Sequence, residues 1–257
     1  MVAILPGAEP FAHDGSGEIG VLLCHGFTGS PQSMAPWGAA LADAGFTVTC
    51  PLLPGHGRTW QEMNRTAWPD WYQEVDQAFG DLRSRCRSVF VFGLSMGGTL
   101  SLRLAQQHGS AVAGLVLVNP SVMTLRNDAV FLPVLSKIVP SMPGISNDIK
   151  KPGVTELAYR RLPLRAAASL SKLWQVVRAD LNRIDQPLLL LRSAEDHVVE
   201  PVNAATILTA VRSKDVREVV LTDSYHVATL DNNADVIFSS SIEFAQRVHR
   251  ERTGQPV

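Results

Sequence analysis

Short apolar runs rich in β-branched residues recur at 19–24, 46–50, 89–93, 114–118, 187–192 and 216–221, and helix-length segments lie between several of them. Runs of that length and character read as strands. The helical segment 32–44 is stopped by Gly45, 68–86 carries Pro69 in its first turn, and 96–108 is stopped by Gly109. Proline at a helix start and glycine just past a helix end are the expected placements. Strand and helix in alternation build a mostly parallel sheet with helices on both faces. Strands covered on both faces are apolar throughout rather than alternating, as in Leu115-Val116-Leu117-Val118 and Leu188-Leu189-Leu190-Leu191. The expected class is therefore α/β, and 257 residues with 46% hydrophobic content suffice for one main domain with a sizeable core.

One connection breaks the rhythm. Residues 120–186 far exceed an ordinary crossover of about a dozen residues, and Pro133, Pro140, Pro143, Pro152 and Pro163 interrupt them. The expected organisation is a core made of 1–119 and 187–257, with a cap inserted at 120–186. Within the insert, 166–181 spaces Leu170, Leu173, Trp174, Val177 and Leu181 along one helical stripe, so at least one helix packs on something apolar.

Gly93-Leu94-Ser95-Met96-Gly97 fits G-x-S-x-G, after the run Val89-Phe90-Val91-Phe92 and before a Leu- and Ala-rich helical segment. That is the strand-turn-helix context in which the α/β-hydrolase nucleophile sits. The sharp turn strains the serine backbone, and side chains at the flanking glycines would collide with neighbouring backbone. Ser95 is expected to stand exposed above the sheet. A serine hydroxyl needs an imidazole to take its proton, and the imidazole needs a carboxylate to fix its tautomer and stabilise its charge. In this fold the chain order is Ser, acid, His, each at the carboxyl end of a strand. Asp196 follows 187–192, and His226 follows 216–221 with one further helix, near 234–248, behind it. Glu195 is the alternative acid; Asp196 is preferred because an Asp occupies this loop in related folds. Asp223 reads as a turn residue, His197 as a polar loop residue, and His13, His108 and His249 as solvated or capping side chains.

The loop His25-Gly26-Phe27-Thr28-Gly29 follows the strand 19–24. In this arrangement it supplies one oxyanion-hole N–H and the residue after the nucleophile supplies the other, which nominates the amides of Phe27 and Met96. His25 is expected to brace the loop. Gly55-His56-Gly57 lacks a following Lys and reads as a tight loop near the site mouth rather than a phosphate cradle. Trp60, Trp68, Trp71 and Trp174 read as packing.

Lys plus Arg at 23 against Asp plus Glu at 24 leaves a net charge of −1, so no positive field exists to attract nucleic acid. The N-terminus has no basic opening and its apolar run breaks at Pro6 and Gly7, unlike a secretory signal. No run approaches the roughly 20 apolar residues of a membrane span. A cytoplasmic location is expected. Cys24, Cys50 and Cys86 are odd in number and lack metal-type spacing, which indicates buried free thiols. The chemistry of a serine nucleophile requires no metal or cofactor.

Beyond the pentapeptide, the runs Gly7-Ala8-Glu9-Pro10-Phe11, Gly93-Leu94-Ser95-Met96-Gly97-Gly98-Thr99-Leu100, Glu195-Asp196-His197-Val198-Val199 and Ser224-Tyr225-His226-Val227-Ala228-Thr229-Leu230-Asp231 closely resemble the bacterial monoacylglycerol lipases, relatives of small thermostable carboxylesterases. The likeness covers nearly the whole chain. It implies an α/β-hydrolase fold with a small helical cap, a triad of Ser95, Asp196 and His226, an oxyanion hole from Phe27 and Met96, and hydrolysis of a monoacylglycerol to fatty acid and glycerol. Glu156-Leu157-Ala158-Tyr159 is similar to the cap segment in which the family's glutamate bonds the glycerol hydroxyls, and Ile145 matches a residue lining the acyl path. By sequence position alone, Glu156 reads as a first-turn helix residue. The implied partners are a small lipid ester and, through the cap, a transient membrane or micelle surface. Open alternatives are a broad carboxylesterase for small or xenobiotic esters, a peptidase or acyltransferase on the same scaffold, and a non-catalytic ligand-binding module.

Overall fold

The computed structural model describes residues 2–126 and 131–254; residues 127–130, within the expected cap, lie outside the described residues. The strands are β1 (Phe11–His13), β2 (Ile19–Cys24), β3 (Thr47–Cys50), β4 (Ser88–Leu94), β5 (Val112–Val118), β6 (Ser141–Pro143), β7 (Arg161–Pro163), β8 (Leu188–Ser193) and β9 (Val216–Leu221). The helices are α1 (Ala35–Asp43), α2 (Trp60–Met63), α3 (Trp68–Arg85), α4 (Met96–His108), α5 (Leu132–Ile138), α6 (Leu164–Ala179), α7 (Val202–Ala210) and α8 (Ala234–Thr253).

Seven strands form one sheet in the order β1-β3-β2-β4-β5-β8-β9, parallel except where β1 pairs antiparallel with β3 at the edge. All six expected strands are present. β3 starts one residue later than its apolar run because the amide of Phe46 is still bonded to the carbonyl of Leu41 in the turn leaving α1. β1, β6 and β7 have three residues each, too few to show a period in sequence.

Side chains leave a strand on opposite faces in turn, and β4 and β5 use both faces for core. Val89, Val91, Leu115 and Leu117 pack with α3, α4 and α6, through Trp71, Phe79, Leu100, Leu170 and Leu173. Phe90, Phe92, Val116 and Val118 pack with α1 and α8, through Trp37, Leu41, Ile237 and Phe244. Each fully buried Leu or Phe contributes on the order of 2 kcal/mol.

After the edge strand β1, the chain runs through β2, steps outward to β3, then returns to β4 on the other side of β2. Where strand order reverses in this way, the loops at the carboxyl ends part and leave a crevice. The loop after β2 carries His25 to Gly29 and the turn after β4 carries Ser95, so the topology sets the glycine loop beside the serine.

Between β5 and β8 lie α5, the antiparallel ribbon β6–β7 and α6. Leu170, Leu173 and Val177 of α6 are buried, as their stripe implied; Leu181 falls in the turn after the helix. The helix begins two residues before the expected 166 because Asn64, just past α2, accepts hydrogen bonds from the amides of Arg165 and Ala166. Asn64 also donates to the carbonyl of Pro140 beside the ribbon. Among the described residues, no helix is long and apolar enough to cross a membrane.

Candidate active site

Ser95 has φ 56° and ψ −117°, in the turn between β4 and α4. Glycine is required on either side. A Cβ on Gly97 would lie 1.9 Å from the carbonyl oxygen of Cys24, and one on Gly93 would lie 2.3 Å from the carbonyl carbon of Gly97. The amide of Ser95 donates to Val118 at 2.9 Å and its carbonyl accepts from Ser121 at 3.3 Å, so the turn is tied to the end of β5. The expectation of an exposed serine needs correction: Ser95 is only 8% exposed. Gly26 approaches its Cβ on one side, at 3.6 Å from where a glycine side chain would begin, and the chain at Ser121 closes on another.

Asp196 and His226 meet as the chain order required. His226 Nδ1 and Asp196 Oδ2 are 2.8 Å apart with both side chains buried. The other carboxylate oxygen accepts from the amides of Val198 and Val199, each at 2.8 Å. Burial alone would raise the Asp196 pKa, but the His226 charge and these hydrogen bonds outweigh it and hold the carboxyl below its usual range. Burial likewise opposes charge on His226, yet Asp196, Glu156 and Asp148 together raise its pKa. With Nδ1 donating to Asp196, Nε2 is the acceptor nitrogen, and among the described residues neither it nor Ser95 Oγ has a hydrogen-bond partner. Glu195, the alternative acid, faces outward and pairs with His197 at 3.2 Å.

The two nominated amides are free. Phe27 N and Met96 N donate to no protein acceptor among the described residues; Met96 N opens helix α4, where an amide has no partner within the helix. Phe27 also packs its ring edge-on against His56 and Trp71. His25 braces the loop as expected: its Nε2 accepts from the amide of Leu53 at 3.2 Å, which obliges Nδ1 to donate to the carbonyl of Gly26 at 3.0 Å. Burial lowers its pKa to about 4, so the ring stays neutral and takes no proton from a substrate. His56 is buried against it. Asp223 lies in a turn, paired with Lys150. His249, expected to be solvated or capping, is instead buried and bonded to Ser88 Oγ at 2.9 Å, because α8 lies flat against the sheet.

Glu156 also departs from its sequence reading. It belongs to an irregular segment and not to a helix start. That segment is bound to the loop after Gly29: Ser30 Oγ donates to the carbonyl of Leu157, Gln32 accepts from the amide of Leu157, and Tyr159 N donates to the carbonyl of Thr28. The Glu156 carboxylate is thereby carried over Gly29, where a Cβ would lie 2.8 Å from Oε1, and close enough to His226 to act on its charge. Among the described residues no side chain donates to the carboxylate, and the backbone amide of Asn147 is the donor that faces it. Burial pushes its pKa up to about 6. Ile145 is not drawn into this cluster; it stays on the insert, 51% exposed.

Three further residues were not singled out from sequence. Asn119, at the end of β5 with φ 43°, accepts from the amide of Ser193 and donates to Ser193 Oγ and to the carbonyl of His226 at 2.8 Å. It joins the end of β5, beside the turn of Ser95, to the loops that carry Asp196 and His226. Asp148 and Asp231 bond the insert to the same loops. A lone Asn or Asp in a loop looks like a turn residue, and only the context Asn119-Pro120 at a strand end offered a signal.

The sequence profile of the Hydrolase_4 family, described as serine aminopeptidase S33, matches residues 18–233. A thermostable monoacylglycerol lipase from Bacillus sp. (strain H-257) is 43% identical over 241 residues, covering 94% of this chain and 95% of its own. A carboxylesterase from Bacillus subtilis (strain 168) is 27% identical, over 93% and 97%. Among solved structures, one from work on LipS and LipT, two metagenome-derived lipolytic enzymes, superposes with a TM-score of 0.92 at 40% identity, over 95% of this chain and 100% of the other. A profile match over most of the sequence, with relatives aligned nearly end to end, establishes that this chain belongs to the Hydrolase_4 family of serine hydrolases and has their α/β-hydrolase fold.

Proposed function

We propose that this chain hydrolyses monoacylglycerols to fatty acid and glycerol through an acyl-enzyme on Ser95. The observation that carries the reading is Glu156: a carboxylate with no side-chain donor, held beside the base and over the glycine loop. Ser95 Oγ attacks the ester carbonyl as His226 Nε2 takes its proton, and Asp196 stabilises the imidazolium. The amides of Phe27 and Met96 donate to the oxyanion, each worth about 3 kcal/mol of barrier. Glycerol leaves with the proton from His226. Water, deprotonated by the same imidazole, then attacks the acyl-enzyme, releasing the fatty acid and restoring Ser95. Glu156 accepts hydrogen bonds from the two free glycerol hydroxyls; di- and triglycerides, acylated there, have none to donate. The name of the Bacillus relative supports this substrate class.

Segment 120–186 acts as the cap, with Ile145 on the path of the acyl chain. Leu125, Phe131, Val134, Ile138, Met142 and Ile145 are exposed on it, and so many large apolar side chains exposed along one segment suit transient contact with a membrane or micelle. Three free cysteines fit a reducing, cytoplasmic setting.

The test compares kcat/KM on 1-monooleoylglycerol and on methyl oleate, for wild type and Glu156→Gln. Wild type should favour the glyceride and the variant should lose that preference. Equal rates in wild type, or an unchanged preference in the variant, would refute the glycerol role and leave a general carboxylesterase. Turnover of aminoacyl anilides above that of either ester would instead favour the peptidase reading.

A further inference from the structure

Asp148 stands on the insert, yet its carboxylate is bonded to the two loops that carry Asp196 and His226. Its Oδ2 accepts from the amide of His226 at 3.1 Å and from that of His197 at 3.2 Å, while Oδ1 pairs with His197 Nδ1 at 2.8 Å. Its carbonyl accepts from Val227 at 3.0 Å. The side chain is 11% exposed. Asp231, beyond the base, reciprocates: its carboxylate accepts from the amides of Lys150 and Lys151 at 2.8 and 2.9 Å, and from Tyr225 at 2.8 Å. Two buried carboxylates thus lace residues 148–151 to the loop of His226, each receiving the charge-assisted amide bonds that make such a group strong once desolvated.

The backbone of His226 is consequently held from two sides. Asp148 takes its amide and Asn119 takes its carbonyl. The acid loop is held by the same Asp148 oxygen through His197 N, so one carboxylate sets the base and acid loops relative to each other. We propose that Asp148 is a positioning residue, which fixes the His226 and Asp196 loops against the cap and adds a negative charge that supports the imidazolium formed when Ser95 is deprotonated. This rests on the triad reading above. The charged groups facing His226 are Asp196 from the loop after β8, and Glu156 and Asp148 from the insert; all three favour its protonated form. Removing one negative charge disfavours the imidazolium, so the base stays neutral to lower pH and the acid limb of kcat/KM moves downward.

The experiment measures kcat, KM and the pH profile on 4-nitrophenyl butyrate for wild type, Asp148→Ala, Asp148→Asn and Ser95→Ala. Asp148→Ala should lower kcat by about 10- to 100-fold, the scale of a small misplacement of a catalytic group, with little change in KM. Asp148→Asn keeps an acceptor for the amides but not the charge, so it should recover most of kcat while its acid limb stays shifted downward. An acid limb at the wild-type position in Asp148→Asn would overturn the proposal whatever happens to kcat, since a merely structural role does not move it. If Asp148→Ala does not fold, the Asn variant decides alone. Loss of activity in Ser95→Ala with wild-type behaviour in the Asp148 variants removes this proposal only; activity retained in Ser95→Ala removes the triad reading with it.

Discussion

Glu156 carries a charge where burial disfavours one. With its pKa pushed up to about 6 from an ordinary 4.5, the folded protein binds a proton there more tightly than the unfolded chain does. The sign follows: the contribution to stability is fully present below pH 4.5 and is lost as pH rises through 6, leaving a cost of about 2 kcal/mol at pH 8. Glu156→Gln should therefore raise the unfolding free energy by about 1–2 kcal/mol at pH 8 and change it little at pH 4, while it abolishes the glyceride preference. Urea denaturation at the two pH values reads the difference. A variant equally stabilised at both, or destabilised at pH 8, would show that burial does not raise this carboxyl. The same protonation gives wild type its own signature: discrimination for the glyceride over the methyl ester should weaken below pH 6.

Elements divide by whether their cause is local. β2, β4, β5 and β8 were legible because both faces of each are buried, and α3 and α4 because proline and glycine mark their ends. The turn between β4 and α4 was legible for the same kind of reason: Gly93, Ser95 and Gly97 answer to one strained turn. What escaped was held by bonds between distant residues. The Glu156 segment takes its path from Ser30 and Gln32, and β6 and β7 have nothing but each other to pair with. The start of α6 belongs to this second class, since its first free amides are satisfied by Asn64 and not by a residue preceding the helix. An N-cap of this kind contributes about 1 kcal/mol, and Asn64 also holds the carbonyl of Pro140. Asn64→Ala should cost about 1–2 kcal/mol in urea denaturation and speed protease cleavage within the insert. Unchanged cleavage would mean that the burial of Leu170, Leu173 and Val177 holds α6 without its cap.

At the scale of the whole molecule, the reversal of strand order between β3, β2 and β4 opens the crevice, and His25 and His56 are buried beneath its mouth. Both rings are kept neutral by burial, His25 with a pKa near 4 and His56 well below its ordinary value. The unfolded chain takes up protons at these histidines from about pH 6.5 downward and the folded molecule does not. Their contribution to stability is thus complete above pH 6.5 and is lost as pH falls toward 4, by about 3 kcal/mol for His25 alone. Glu156 works in the opposite direction over part of that range, so the wild-type curve is the difference of two opposing titrations. His25→Gln retains a donor for the carbonyl of Gly26 and an acceptor for the amide of Leu53 but does not titrate. Between pH 6.5 and 4 this variant should lose about 3 kcal/mol less unfolding free energy than wild type, whatever its stability at neutral pH. Parallel stability curves for the two proteins would mean that the glycine loop tolerates a charged imidazole, and that acid lability arises elsewhere in the fold.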